Sequence, residues 1–260
     1  MNTGETKRRI AAGRPVFGCW LEMCSPIAAE IVAQAGYDSV LIDLEHGPGS
    51  ILDAVSLMHA VQGSKCAPFI RVPTNDPVVL KRVLDIGVAG VMIPAVNTAA
   101  EATAAVSACR YPPQGLRGMA ASIVRASDYG ARWREYTGAA AESLLIMCQI
   151  ESANGVENAA AIAAVEGVDM LFIGPFDLSA GLGHLGHPDH TDVRQKIAHV
   201  EAAAKQAGRA LGGIPTPGRS ADDLLAAGYR LILADADVGL LGETARARVK
   251  ALRAAAAAFD

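Results

Sequence analysis

The 260-residue chain has no apolar run approaching the roughly 20 residues that a membrane-spanning helix needs. It has no basic excess either: 23 Lys and Arg stand against 27 Asp and Glu, a net charge of -4. Nothing in that balance attracts nucleic acid globally. It has no C-x-x-C pair, and its five cysteines (Cys19, Cys24, Cys66, Cys109, Cys148) are scattered and odd in number. Several lie in apolar runs, so they read as buried free thiols rather than disulfides or zinc ligands. The opening MNTGETKRRIAAG lacks the apolar core of a signal peptide. A cytoplasmic protein is expected.

What the chain does have is apolar residues, 51% of the total, with a mean hydropathy of +0.25. That suits buried parallel strands under Ala-rich helices, and the length suits one barrel-sized domain over residues 1–260. The organising stretch is Leu144–Asp177. Leu144 to Ile150 is apolar and too short for a helix, so it reads as a buried parallel strand. Gln149 and Glu151 at its end share one face by period-two alternation. A helix follows, then a second strand over Met170–Gly174 that leads to Asp177. Two carboxylates after consecutive parallel strands can face one space and hold a hard divalent cation, with water and substrate oxygens completing its shell. The alternative is that both are helix caps or strand-end charges satisfied by backbone.

Taken in order, the pattern gives a helix near Gly4–Ala12, a strand at Val16–Leu21 and a helix at Pro26–Ala35. Strand Ser39–Leu44 runs into Asp43, Glu45, His46 and Gly47, and helix Ile51–Val61 leads to strand Pro68–Val72, which carries Arg71. Asp76-Pro77 caps a helix ending before Gly87; strand Gly90–Val96, helix Ala99–Ala108 and an ambiguous segment to Ala141 follow. Beyond the organising stretch come helix Asp192–Ala207, strand Ala210–Ile214, helix Ser220–Ala227, strand Arg230–Ala234 and helix Val238–Ala258. A weak repeat supports this division: segments starting at Gly36, Gly87, Gly167 and Gly228 each place a helix-ending glycine before a buried strand. Eight strands alternating with helices is the (β/α)8 barrel pattern, an α/β fold here with extra N- and C-terminal helices. An open doubly wound sheet uses the same alternation, but the count and even spacing favour closure. In such a barrel, functional groups lie on the loops after the strands, where His46, Arg71, Gln149, Glu151 and Asp177 all fall.

Two motifs attract attention without carrying the function. Gly181-Leu-Gly183-His-Leu-Gly186 spells G-x-G-x-x-G but does not open from a strand, so dinucleotide binding is not expected. His184, His187 and His190 recur every third residue, yet Pro188 breaks any helix that would align them; a solvated loop near the site entrance is the expectation.

With these residues assembled, the chain resembles the HpcH/HpaI family of metal-dependent, class II pyruvate aldolases. The matching segments are Asp43-Leu-Glu-His46-Gly, Ile70-Arg71-Val-Pro, Leu84-Asp85-Ile-Gly, Tyr111-Pro-Pro-Gln-Gly-Leu-Arg-Gly118, Arg125-Ala-Ser, Gln149-Ile-Glu151 and Gly167-Val-Asp through Phe172-Ile-Gly-Pro-Phe-Asp177-Leu-Ser. The resemblance implies a lyase that reversibly cleaves a 4-hydroxy-2-oxoacid, from aromatic or sugar-acid breakdown, to pyruvate and an aldehyde. It implies that Glu151 and Asp177 bind Mg2+, Mn2+ or Co2+, and that Gln149, Asp177 and the backbone at Phe176 meet the substrate. Arg71 would bind substrate and stabilise the enolate. His46 would be the base, supported by Asp43 and by Asp85, the latter reaching from a neighbouring subunit. The chemistry suits these residue types: a cation and a fixed guanidinium stabilise enolate charge, and a histidine titrates near neutrality. Lys65 and Lys81 are not at strand ends, consistent with a class that needs no Schiff base. The resemblance also implies a homo-oligomer, a hexamer or another even assembly, packed partly through the C-terminal helix. Oxaloacetate decarboxylation and acyl-CoA lysis are the alternatives within enzymes, and a non-catalytic ligand-binding barrel is the alternative outside them. The unusual runs Gly213–Pro217 and Leu233–Asp237 shape the far side of the pocket and leave the aldehyde partner open.

Overall fold

Four glycines, Gly36, Gly87, Gly167 and Gly228, end four helices with φ of 103°, 91°, 97° and 99°. Around Gly36 and Gly228 an added Cβ would meet nothing within 4 Å, so the left-handed backbone and not crowding selects glycine there. Each reverses the chain from a helix into an inner strand.

The computed structural model describes residues 4–257. Its elements alternate: α1 (Glu5–Ala11), β1 (Val16–Leu21), α2 (Pro26–Gln34), β2 (Ser39–Asp43), α3 (Ile51–Ala60), β3 (Ala67–Arg71), α4 (Pro77–Asp85), β4 (Gly90–Ile93) and α5 (Ala99–Cys109) form the first half. A 3-10 turn at Arg125–Ser127, then α6 (Trp133–Ser143), β5 (Leu145–Ile150), α7 (Ala153–Glu157), α8 (Ala159–Ala164), β6 (Met170–Ile173), α9 (Pro175–Gly181), α10 (Thr191–Gln206), β7 (Ala210–Gly213), α11 (Ala221–Ala227), β8 (Tyr229–Ala236) and α12 (Asp237–Ala256) complete it. The eight strands are parallel and close as β1-β2-β3-β4-β5-β6-β7-β8, with β8 paired back to β1.

Differences from the sequence reading have local causes. β4 stops at Ile93 rather than Val96, because Ala95 takes φ of 50° and its N–H turns to Glu151. The helix after β5 divides at Asn158, whose Nδ2 donates to Asn154 O at 3.1 Å and Asn97 O at 2.9 Å; such side-chain bonds compete with helix propagation. The ambiguous segment resolves into the 3-10 turn and α6. Asp177 stands in the first turn of α9, not on a strand end. Ala258, placed in the last helix by the sequence pattern, lies outside the described residues.

Period-two alternation divides the apolar residues into two cores. One face of each strand packs against the helices, as with Val40, Ile42, Ile70, Val91, Ile146 and Leu171. The other fills the barrel with Leu41, Phe69, Met92, Met147, Met170, Phe172, Leu231 and Leu233. Ile10 of α1 joins this inner core, so the N-terminal helix helps close the end where the strands begin. Lys7 anchors it there, donating to Leu144 O at 2.8 Å and pairing with Asp169 at 2.9 Å.

Candidate active site

On β2, β3 and β5 the inward face ends in charged or amide side chains. On β2 the series is Ser39, Leu41, Asp43; on β3 it is Ala67, Phe69, Arg71; on β5 it is Leu145, Met147, Gln149, continuing to Glu151. Register aligns these ends, since Asp43 pairs with Arg71 and Gln149 with Phe172. The barrel's top layer is therefore polar by the same alternation that makes its middle layers apolar.

Arg71 is the centre of this layer. Its Nε donates to Asp43 Oδ1 at 2.8 Å and its Nη2 to Asp43 Oδ2 at 2.5 Å, a bidentate pair. Its Nη1 lies 3.1 Å from Glu45 Oε2, and its guanidinium stacks 4.5 Å from the centre of the Trp20 ring. Trp20 in turn meets Phe172 edge-on, with ring centres 6.2 Å apart. Asp43 is fully buried and also accepts the Glu45 N–H at 3.0 Å. Burial alone would raise its pKa, but the Arg71 hydrogen bonds and charge hold it below the usual value. Asp43 thus faces protein on every side and works as a positioning group for Arg71.

Glu151 has a different environment. Its Oε1 accepts the Ala95 N–H at 2.7 Å and its Oε2 accepts Gln149 Nε2 at 2.5 Å. Gly174 allows this approach: a Cβ there would lie 2.7 Å from Glu151 Oε2 and 3.0 Å from Gln149 Nε2. Burial, with added repulsion from Glu45 and Asp177, pushes the Glu151 pKa up to about 7 despite the Ala95 N–H and Arg71. Glu22, next after β1 and beside Asp43, is likewise raised to about 7 by burial and by the charge of Asp43. Asp237 ties this edge together, accepting from the N–H groups of Glu22 at 2.9 Å and Met23 at 3.2 Å.

The mouth is therefore acidic, with Glu22, Asp43, Glu45, Glu151 and Asp177 around a single buried guanidinium. Among the described residues Glu151 has no basic hydrogen-bond partner, and Gln149 Oε1 is buried with none at all. A carboxylate that is costly to ionise and a surplus of hard oxygen donors fit a divalent cation.

Of the remaining expected residues, His46 is exposed on the loop after β2 beside Glu45, whose pKa burial raises although the charges of Arg71 and His46 oppose it. Gly47 makes that loop possible, since a Cβ there would lie 2.3 Å from Asp43 O. Phe176 is 46% exposed in the first turn of α9 beside Asp177, and its carbonyl accepts Ser179 Oγ at 2.7 Å. Asp85 does not join the group within one chain. It ends α4, at the end of the barrel away from the strand C-termini, and accepts Arg117 Nη2 at 2.8 Å. Arg117 is buried between Tyr111 and Tyr136, so this aspartate anchors a loop in its own chain.

Trp20, Glu22 and Gly174 also stand in this layer and were not among the expected residues, and Glu45 was noted at its strand end without a role. The signal for the first two was present: Val16, Gly18, Trp20 and Glu22 continue the inward period of β1.

With this geometry in place, comparison with known proteins is informative. Residues 16–244 match the family model described as HpcH/HpaI aldolase/citrate lyase. A 5-keto-4-deoxy-D-glucarate aldolase of Salmonella paratyphi C (strain RKS4594) is 42% identical over 233 residues, 90% of each chain. The crystal structure of a family protein from Burkholderia cenocepacia J2315 superposes with a TM-score of 0.91 at 41% identity, covering 97% of this chain and all of that one. The HpcH/HpaI aldolase of Desulfitobacterium hafniense DCB-2 does so with a TM-score of 0.87 at 30% identity, over 95% and 96% of the two chains. This chain belongs to the HpcH/HpaI aldolase/citrate lyase family and is a carbon–carbon lyase.

Proposed function

We propose that this aldolase, which reversibly cleaves a 4-hydroxy-2-oxoacid to pyruvate and an aldehyde, takes a sugar-acid substrate of the 5-keto-4-deoxyglucarate type. Its 42% identical relatives support the sugar-acid rather than the aromatic option. The observation that carries the reading is the polar top layer, where a tethered guanidinium and the Gln149–Glu151 pair share one barrel mouth.

In this reading Glu151 and Asp177 hold the divalent cation, Mg2+, Mn2+ or Co2+. When bound, that ion supplies Lewis-acid stabilisation of charge on the pyruvate half. The chain's own groups do the rest. Arg71 has five N–H donors, of which Asp43 takes two, while Glu45 pairs with its Nη1 by charge. Its remaining donors face the mouth and meet the oxygen on which enolate charge develops. Trp20 behind the guanidinium and Asp43 beneath it prevent it from swinging away. Gln149 and the backbone at Phe176 orient the substrate carboxylate and keto group. His46 takes the C4 hydroxyl proton as the C3–C4 bond breaks and its electron pair passes into the enolate. Asp85 can act on His46 only from another copy, which is consistent with a homo-oligomer.

Assembly has further support. α2 exposes Ile27 and Ile31 at 72% and 64%, and α12, which packs on α2, exposes Leu241 and Leu252 at 61% and 65%. Two apolar helix faces side by side suit a subunit interface. No helix among the described residues is long and apolar enough to cross a membrane, and five free cysteines accord with a reducing cytoplasm.

The test is pyruvate release from 5-keto-4-deoxyglucarate, assayed with and without EDTA and again after Mn2+ is restored. Release that EDTA leaves unchanged would overturn the metal assignment. No release with any 4-hydroxy-2-oxoacid would favour the non-catalytic barrel.

A further inference from the structure

The histidine-rich loop between α9 and α10 is more ordered than its sequence suggests. Pro188 prevents a continuous helix, yet successive tight turns replace it: His187 N–H donates to His184 O at 2.9 Å and His190 N–H to His187 O at 3.0 Å. Turns of three residues bring side chains three and six apart onto one side. The imidazoles of His184 and His190 consequently stack, with ring centres 3.5 Å apart and planes 17° apart. Asp192, in the first turn of α10, lies against both. Its Oδ2 is 3.2 Å from His184 Nε2 and 3.7 Å from His190 Nδ1.

We propose that His184, His190 and Asp192 form a second cation site, for a borderline transition ion of the Zn2+ class, separate from the hard-cation site at the barrel mouth. Among the described residues they are the one group whose three candidate ligand atoms all lie within 4.8 Å of one another. A tetrahedral centre with bonds of about 2.0–2.1 Å places its ligand atoms about 3.3 Å apart, and the observed 3.2 and 3.7 Å bracket that spacing. Binding requires the imidazoles to swing out of their near-parallel stack, so that each ring's nitrogen lone pair points at the ion in its own plane.

The donor set decides which ion. Two imidazoles and one carboxylate favour Zn2+, Ni2+ or Cu2+, whereas the carboxylate-rich mouth favours Mg2+ or Mn2+. Two local features oppose binding. Asp192 N–H already donates to His190 Nδ1 at 3.3 Å, but that long bond is at an exposed helix start where water can replace it. The N-terminus of α10 is also positive, and the Asp192 carboxylate in its first turn offsets that field. Asp192 is exposed, so water completes the shell. The site's place in the fold gives it a consequence. α9 carries Asp177 in its first turn and runs directly into this loop, so an ion here would stiffen the far end of the helix that serves the mouth.

The experiment uses tag-free, chelator-treated chain carrying Glu151→Gln and Asp177→Asn, so that the mouth is silenced. It is titrated calorimetrically with Zn2+ alone at about pH 7.5, where imidazole is neutral. One equivalent should bind, and adding His184→Gln or His190→Asn should weaken it by about tenfold or more. Asparagine keeps a helix-capping acceptor at position 190, and circular dichroism checks that each variant is folded. Cu2+ bound to the same chain should show coupling to two nitrogens in its electron paramagnetic resonance spectrum, reduced to one in each variant. Zn2+ affinity equal to the parent's in both variants, or no saturable binding in the parent, would overturn the proposal. If the mouth assignment is the one in error, the chain with native Glu151 and Asp177 will bind as many Zn2+ ions as the silenced one, while the histidine variants still bind more weakly.

Discussion

Replacing Asp43 by asparagine isolates the support beneath the site from the groups that touch substrate. Asp43 is sealed from solvent and accepts from Arg71 Nε at 2.8 Å, from Arg71 Nη2 at 2.5 Å and from Glu45 N–H at 3.0 Å. Asparagine retains one acceptor oxygen but places an NH2 against the Nη2 donor and removes the counter-charge. Breaking a buried ion pair costs about 3–5 kcal/mol. Glu45 remains beside Arg71, so the lower end applies, about 3 kcal/mol. At about 2–4 °C per kcal/mol for a chain near this size, the melting temperature should fall by about 6–12 °C. The pH dependence has a definite sign. Because the folded-state pKa of Asp43 is lowered, its stabilisation is present above the unfolded value, near 4, and fades as pH falls through the folded value. The gap between the two proteins should be full at neutral pH and shrink in acid. Arg71 persists in the variant but is no longer tethered, so kcat should drop about 10–100-fold, the range found when a supporting partner is lost. Aldol cleavage and oxaloacetate decarboxylation should fall together, since both pass through the enolate. Thermal melts at several pH values and a coupled pyruvate assay measure these effects. A variant melting with the wild type and turning over within about twofold of it would refute the tether.

Other variants divide the remaining roles. Arg71→Ala should depress aldol cleavage, pyruvate proton exchange and oxaloacetate decarboxylation alike, by about 10²–10³-fold, with partial recovery by lysine. His46→Ala should damage cleavage much more than decarboxylation, which has no hydroxyl proton to remove; equal loss of kcat/KM would make the histidine a binding group. Glu151→Gln and Asp177→Asn should each weaken Mn2+ binding in calorimetry while the fold persists, and unchanged affinity in both would remove them as ligands. Gly174→Ala should displace the Gln149–Glu151 pair, because its Cβ would enter within 2.7 Å of Glu151 Oε2, and a variant with wild-type kcat would show that the pair tolerates movement. Light scattering should find more than one chain per particle, whereas a monomer at micromolar concentration would leave Asp85 as an internal anchor only.

The barrel and half of its site were readable from the chain because both follow periodic rules. Helix-ending glycines at positions 36, 87, 167 and 228 mark the turns into the even strands, and each glycine does adopt the left-handed conformation. Strand alternation and the rule that loops after strands carry function put His46, Arg71, Gln149 and Glu151 at one end. The same alternation extended along β1 would have added Trp20, inside the strand, and Glu22, just past the break in apolar pattern after Leu21. Asp85 was out of reach for the opposite reason: the sequence motif marks it, and only the path of α4 reveals that it ends far from His46 in its own chain.

What the sequence by itself determined is the set of local preferences: eight buried strands, the helices between them, the glycine turns and the carboxylate, guanidinium and imidazole groups available for chemistry. Only the tertiary structure decided how those groups share charge. Closure of the barrel sets Asp43 under Arg71 across a strand pair and buries Glu151 beside Gln149, while tight turns after α9 stack His184 on His190. Burial and approach within a few ångströms control ionisation and ligation, and both depend on residues distant in the chain. Periodicity specifies which face a residue occupies, whereas the register between strands specifies what it meets there.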